Sequence, residues 1–354
     1  MAKAKPVKKK TGNQQTIWIL LIVLGVGLAA LVWLIVGSGT AFIESKKQFV
    51  IEEGATDKAS VVNRLKEAYV INNGWMFGLL ADKLDVWPRL KAGKYEVKNG
   101  ESLLSIARKL RNNQQVEVKL VINKVRTKQE LARLISKNFA HDSASVLAYL
   151  NNNENLKQYN ADSNTIMAFI LPNTYRFYYT ASLQKIFTKI IEAHEAFWLG
   201  ERTSKARAKG FSPIQIITIA SIVEEETNKN AEKGNVASVY INRLRKGMAL
   251  GADPTIKFAL NDFALKRILY GHLKVESPYN TYRNKGLPPG PICTPSEASI
   301  DAVLDAPNTN YLFFVADASL NGYHHFSATF AEHSAYAKQY QQALDGYFAR
   351  KNNP

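Results

Sequence analysis

The sequence predicts an α+β protein in which an N-terminal transmembrane helix leads into a small α/β subdomain and then a larger α+β domain. Three observations carry that expectation: one long uncharged apolar run, three strand-turn-helix units after it, and a helix-rich second half punctuated by short aromatic strands. At 354 residues the chain has room for an anchor and one or two domains with real cores.

The apolar run reaches from Ile17 to Val36 without a charge, about the length that crosses a bilayer as a helix. Lys3, Lys5, Lys8, Lys9 and Lys10 precede it with no acid among them. The positive-inside bias therefore keeps the basic tail, 1–16, in the cytoplasm and sends the remainder outside. A cleaved signal peptide would have a shorter core and a small-residue cleavage site, and "AFIESKKQ" is a poor one. Residues 17–36 are thus expected as an uncleaved single-pass helix in the cytoplasmic (inner) membrane, with Trp18 and Trp33 as interfacial anchors near its ends.

Residues 37–122 form the expected membrane-proximal region. "QFVIEEGATDKASVVNRLKEAYVI", "GKYEVKNGESLLSIARKLRNN" and "VKLVINKVRTKQELARLISKN" each read as a short alternating strand, a polar turn and an amphipathic helix. In the second, Asn99-Gly100 makes the turn, Ser102 caps the helix, and Leu103, Ile106, Ala107 and Leu110 share an apolar face. In the third, Thr127 and Glu130 have the spacing of a capping box. The second unit resembles a LysM module, a small fold that binds the N-acetylated sugars of cell-wall glycans, over one strand and one helix.

Composition narrows the chemistry. The 46 Lys and Arg against 30 Asp and Glu give a formal net charge of +16, and removing the five tail lysines leaves +11. Such a surface favours an anionic partner but speaks of association, not reaction, and an exported domain meets no nucleic acid. The lone Cys293 excludes an internal disulfide and multi-cysteine metal sites. His324 and His325 lack metal-ligand spacing, so no metal and no other cofactor is expected.

The larger domain is expected over 123–354. Polar, Asn-rich helix and loop run to about 165, and "FILPNTYRFYYT" follows, whose Tyr175 and Tyr178 offer aromatic faces to a sugar or to the core. Ser212 and Pro213 then open a helix, "IQIITIASIVEEET". Its apolar centre lies near Ile216, Ala220 and Val223 on a helical wheel, which sends Glu225 to solvent and sets Glu224 and Glu226 on the two borders of the buried face. A carboxyl group against an apolar wall holds its proton towards neutral pH and so serves as a general acid. The wheel leaves Glu224 and Glu226 equally open.

A second amphipathic helix is expected from Asn235, "NVASVYINRLRKGM", with Val236, Val239, Tyr240 and Leu244 on its apolar face and Asn242, Arg243 and Arg245 as donors. "LGADPTIKFAL" reads as an Asp-Pro turn at Asp253, and "GLPPGP" as a rigid loop set by Gly286, Pro288 and Pro289 before a helix starting near Pro295. "NYLFFVADAS" reads as a buried strand and "GYHHFSATFAEH" as strand and turn.

From about Ile216 to His333 the ordered motifs "ASIVEEET", "VASVYINRLRKGM", "ADPTIKFAL", "YNTYRNKGLPPGPICTP" and "YLFFVADA" resemble the catalytic domain of the YceG-like (MltG) endolytic murein transglycosylases. The resemblance implies a membrane-anchored, outward-facing (periplasmic) lytic transglycosylase, a lyase that cuts peptidoglycan glycan strands between N-acetylmuramic acid and N-acetylglucosamine, leaving 1,6-anhydro ends without water. It implies Glu226 as the catalytic group, with Glu224 as an auxiliary acid. Asn242, Asp253, Asn280, Thr281 and Tyr282 are the candidates for shaping a glycan cleft. The implied partners are peptidoglycan strands, the cytoplasmic membrane and, for a cutter of nascent strands, the wall-synthesis enzymes. Glu225 departs from the lysine common among relatives, and Gly251 and Ala252 stand where relatives often carry polar residues. A muramidase using water, and a non-catalytic wall-binding scaffold, stay open as alternatives.

Overall fold

The structure is a computed structural model that describes residues 12–352, with side chains over 16–349 apart from Leu31 and Leu34. The basic tail with Lys3 to Lys10 lies outside the described residues. The chain divides into two compact units, the first comprising 1–118 and 178–180, the second 119–177 and 181–354. Helices and short strands mix in both, which is the expected α+β class.

The first unit contains helix α1 (Gly12–Val36), strand β1 (Lys46–Ile51), helices α2 (Lys58–Glu67) and α3 (Gly74–Lys83), strand β2 (Gly93–Lys98) and helix α4 (Leu103–Arg111). β1 and β2 pair antiparallel from Lys46↔Lys98 to Ile51↔Gly93. Their inward residues, Phe49, Ile51, Tyr95 and Val97, meet Val61 and Leu65 of α2, Phe77 of α3 and the Leu103-Ile106-Ala107-Leu110 face of α4 in one core. Ser102 accepts from the Ser105 N–H at 3.1 Å, the expected cap. The segment that resembles LysM is thus no independent module, because its strand pairs with β1 and its helix closes the shared core. α3, whose sequence lacks an alternating pattern, was not among the expected elements.

Among the described residues no helix is long and apolar enough to cross a membrane. The α1 backbone is continuous over 25 residues, but its described side chains run unbroken only over 16–30. The transmembrane helix expected over 17–36 is therefore not among the described features. What is described is an apolar helix with Ile17, Trp18, Leu24 and Trp33 exposed.

The second unit begins in strand β3 (Glu117–Ile122), which shares a two-stranded sheet with β4 (Asn173–Tyr178). Between them lie α5 (Lys128–Asn138), α6 (Ser143–Asn151) and α7 (Asn153–Lys157). Then come α8 (Leu183–Trp198), α9 (Glu201–Lys209), α10 (Pro213–Glu226), α11 (Asn230–Arg245), α12 (Asp253–Leu260) and α13 (Glu297–Leu304). Strands β5 (Phe313–Ala316) and β6 (His324–Ser327) pair antiparallel, and α14 (Phe330–Asn352) is the last described element.

Several local expectations need correction. Thr127 caps α5, but Glu130 reaches the Arg126 N–H at 2.7 Å, so the box is not reciprocal. Asp253 opens a helix with Pro254 in its first turn, because the fixed φ of proline suits that position as well as a turn. β5 is only four residues long and half-buried, and the turn expected after β6 leads into α14.

α10 is the axis of the second unit. Ser212 and Gln215 form a reciprocal capping box, and Pro213 occupies the first turn. Every residue from Ile216 to Val223 is buried, in a core shared with Val236, Ala237 and Tyr240 of α11 and Ile300 and Val303 of α13, with the half-buried Phe258 of α12 packed against it. A helix that is surrounded on all sides delivers whatever its last turn carries into the interior of the unit. That last turn is Glu224-Glu225-Glu226.

Candidate active site

The three glutamates meet three different environments. Glu224 accepts from Ser296 Oγ at 2.6 Å, from Ser299 Oγ, and from Lys233 Nζ at 3.3 Å. Ser296 is the N-cap of α13, so the carboxylate also sits at the positive end of that helix. Burial pushes its pKa up, but the two serine hydroxyls and Lys233 outweigh burial and hold it below the ordinary value. Glu224 is a fixed anion that ties α10 to α13.

Glu225 does not point to solvent as the wheel implied. Arg126 grips it with two hydrogen bonds of 3.1 Å, and Lys124 Nζ lies 2.8 Å from its Oε1. Burial again acts upwards, yet the two cations leave its pKa lowered. The wheel failed because it treats the side away from one apolar centre as water, whereas α10 has protein all round.

Glu226 is the exception. No cation pairs with it among the described residues; its partner is the Tyr240 hydroxyl, which donates to Oε1 at 2.5 Å. Burial raises its pKa from the ordinary 4.5 to about 7. The Tyr240 hydrogen bond works against that rise and the nearby Asp253 charge adds to it, while Lys257 and Arg243 pull down weakly. Tyr240 is itself pushed well above its usual range by burial and by the Glu226 charge, so it stays a donor. Glu226 is half-buried by area, which leaves it reachable from outside. The site therefore holds a carboxyl group that keeps its proton near neutrality, in a fixed orientation.

Around it, Asp253 is exposed and accepts from the Tyr282 hydroxyl at 2.6 Å, with Tyr282 39% exposed. These two of the five cleft candidates face outward. The other three are turned to backbone. Asn242 donates to the carbonyls of Thr309 and Tyr311, and Asn280 to those of Leu273 and Val275. Thr281 Oγ1 accepts from the Ala252 N–H and meets Thr255 Oγ1 at 2.8 Å. Asn280 and Thr281 are buried and hold the strand of loop that presents Tyr282. Gly251, at φ +56, lies against Tyr282 and Arg243, and a Cβ there would come within 3.7 Å of the Tyr282 ring. Of the two aromatics from the earlier cluster, Tyr175 is buried and Tyr178 exposed.

Sequence reasoning missed the groups that fix the acid. Tyr240 was counted as core, although a buried tyrosine hydroxyl needs a partner and an acid-tipped helix can supply one. Arg243 donates to the carbonyls of Leu312 at 2.7 Å and Leu250 at 2.5 Å, bracing α11 under Tyr240. The residue after the acid, Thr227, donates to buried Glu232 at 2.5 Å, and Glu232 meets His324 Nδ1 at 2.8 Å and accepts from its backbone N–H at 3.0 Å. That network pins the chain where α10 stops.

Glu224→Gln is expected to lower unfolding free energy at pH 7 by about 1–3 kcal/mol, the scale of a charged buried hydrogen bond. A carboxylate with a depressed folded pKa stabilises above its unfolded pKa and loses that contribution as pH falls. Urea unfolding of variant and parent should therefore differ at pH 7 and converge in acid. An equal deficit at both pH values would remove the ion-pair explanation.

The fold and site define a class, an α+β domain built round a buried helix that ends in one proton-holding carboxyl group clasped by a tyrosine. The chain belongs to the YceG-like family, whose model matches residues 49–339. It is 31% identical over 285 residues, 80% of this chain and 73% of the relative, to a protein of Bacillus subtilis named endolytic murein transglycosylase. A protein of the same name from Streptococcus pneumoniae is 28% identical over 155 residues, which are 43% of this chain and 28% of the relative. The crystal structure of a YceG-like protein from Listeria monocytogenes superposes with a TM-score of 0.55 at 30% identity, covering 83% of this chain and 99% of that one.

Proposed function

We propose that this protein is a membrane-anchored endolytic lytic transglycosylase of peptidoglycan, with Glu226 as acid and then base. The relatives' shared name supports an enzyme acting on peptidoglycan. The observation that carries the mechanism is the single carboxyl group with a pKa near 7, half-buried and oriented by Tyr240.

Protonated Glu226 donates to the glycosidic oxygen as the bond from muramic acid C1 breaks, and the sugar gains oxocarbenium character. The muramic C6 hydroxyl oxygen then bonds to C1, and its proton passes to the Glu226 carboxylate. The acid is regenerated and no water is consumed. Since Oε1 takes the Tyr240 hydrogen bond, Oε2 is the oxygen that carries the proton. Asp253 and Tyr282 flank the approach and hold sugar hydroxyls or acetamido groups.

The anchor belongs to the same proposal. An α1 backbone of 25 residues is about 37 Å long. A hydrocarbon core measures about 30 Å, and the exposed apolar side chains of α1 suit it. On this reading α1 crosses the cytoplasmic membrane once, the catalytic unit works outside, beside the wall-synthesis enzymes, and the LysM-like segment contributes to strand binding.

One observation favours a second reading, a muramidase using water: Asp253 is a second carboxylate close enough to raise the Glu226 pKa. Mass spectrometry of fragments released from purified sacculi separates the two. Anhydro ends that disappear with Glu226→Gln and persist with Glu224→Gln are expected; reducing ends would establish the hydrolase instead. Folded protein that binds sacculi and releases nothing would leave only a scaffold.

A further inference from the structure

Three of the most exposed large apolar side chains of the first unit lie on chain segments that are bonded together where α1 ends. Ile43 is 92% exposed, Trp75 72% and Tyr69 68%. Asn72 donates its backbone N–H to the Gly39 carbonyl at 3.0 Å and its amide to Ser38. Ala41 bonds the Val70 carbonyl, and Thr40 bridges Ile71. Gly39 in turn donates to Glu101, and Thr40 accepts from Gly100. The chain leaving α1 is thus clamped between the turns that precede α3 and α4. Ile43, Tyr69 and Trp75 each lie no more than three residues from a group bonded in that clamp, so no more than about 10 Å of chain separates them from it.

The surface here has the make-up of a lipid headgroup contact. Trp75 and Leu79 wall a shallow groove of about 370 Å³ whose floor includes Val62, Gly74 and Gly78. The stem of Lys66 lies over Gly74 so closely that a Cβ there would meet its Cδ at 2.7 Å, leaving the ammonium beyond an apolar surface. Lys47 sits 5.7 Å from the rings of both Phe42 and Tyr69. Among the described residues neither Lys47 nor Lys66 pairs with a carboxylate, whereas Lys58 on the same groove is neutralised by Asp82. Aromatic rings and free lysines beside the end of an apolar helix are what an anionic bilayer surface attracts.

We propose that this face, centred on Ile43, Tyr69 and Trp75 with Lys47 and Lys66, docks onto the anionic phospholipid headgroups of the membrane that α1 enters, holding the first unit against the bilayer. The inference rests on the reading of α1 as a membrane span. Trp75 and Ile43 then enter the interfacial layer, and Lys47 and Lys66 meet lipid phosphate.

The full chain reconstituted into phosphatidylcholine–phosphatidylglycerol vesicles provides the test. An environment-sensitive fluorophore is attached through Ile43→Cys, through Trp75→Cys or through Val26→Cys within α1, and quenched by lipids brominated at known depth. Cys293 is buried and does not compete for label. The expected result is deep quenching at position 26, shallow quenching at 43 and 75, and loss of the shallow quenching when Lys47 and Lys66 are both changed to Gln or when phosphatidylglycerol is omitted. Quenching at 26 without quenching at 43 or 75 overturns the docking face and leaves the anchor standing. No quenching at 26 overturns the anchor, and the docking face with it. Shielding of 43 and 75 in native membranes but not in lipid vesicles would assign the face to a protein and overturn the proposal.

Discussion

Glu226→Gln is expected to abolish strand cleavage and, at the same time, to make the protein harder to unfold above neutral pH. General acid catalysis typically contributes 10²- to about 10⁴-fold, and in the proposed mechanism one group serves both proton transfers, so the loss should lie at the upper end. The stability gain follows from the raised pKa. Burial lifts Glu226 from the ordinary 4.5 to about 7, so the folded protein binds its proton more tightly than the unfolded chain. That preference stabilises the fold fully below the unfolded pKa and is lost as pH rises through about 7. By pH 8 the difference amounts to about 3 kcal/mol at most, reduced by whatever water reaches the half-buried group. Glutamine keeps an acceptor for Tyr240 and has no charge to desolvate. Chemical denaturation at pH 5 and pH 8 should show the variant gaining on the parent far more at the higher pH. A variant that cleaves sacculi at a parental rate, or gains equally at both pH values, would sink the assignment of Glu226 as a buried acid.

Tyr240→Phe should slow cleavage roughly ten- to a hundredfold, because the acid loses the bond that aims its proton-bearing oxygen. The pH profile should move as well. Tyr240 donates to Glu226 and so favours the carboxylate; without it the Glu226 pKa rises further above about 7. Activity needs the protonated acid at the outset, so the alkaline fall in rate should shift to higher pH in the variant. A tyrosine that only fills space between α10 and β5, where its ring meets Phe314 edge-on at 6.0 Å, would lower stability and leave that limb where it was.

Local chemistry made much of the fold legible. Ser102, Thr127 and Ser212 each cap a helix through a contact three residues away, and the Leu103-Ile106-Ala107-Leu110 spacing marked the buried face of α4. The same kind of reasoning missed α3, whose Gly74, Gly78 and exposed Trp75 follow no simple period, and took the Asp253-Pro254 pair for a turn when it starts a helix. Both errors occur where a short pattern satisfies two conformations and packing chooses between them.

The site divides along the same line. By itself the sequence determined that an apolar helix opens at Ser212 and ends in three acids, and the family resemblance pointed to the last of them. Only the tertiary structure distinguishes their states. Ser296 and Ser299 reach Glu224 from 72 and 75 residues away, Arg126 reaches Glu225 across 99, and Tyr240 meets Glu226 from the next helix. Three identical carboxyl groups differ in proton affinity because ionisation is set by the partners and the desolvation each one meets, and those are properties of the packed interior that no spacing along the chain contains.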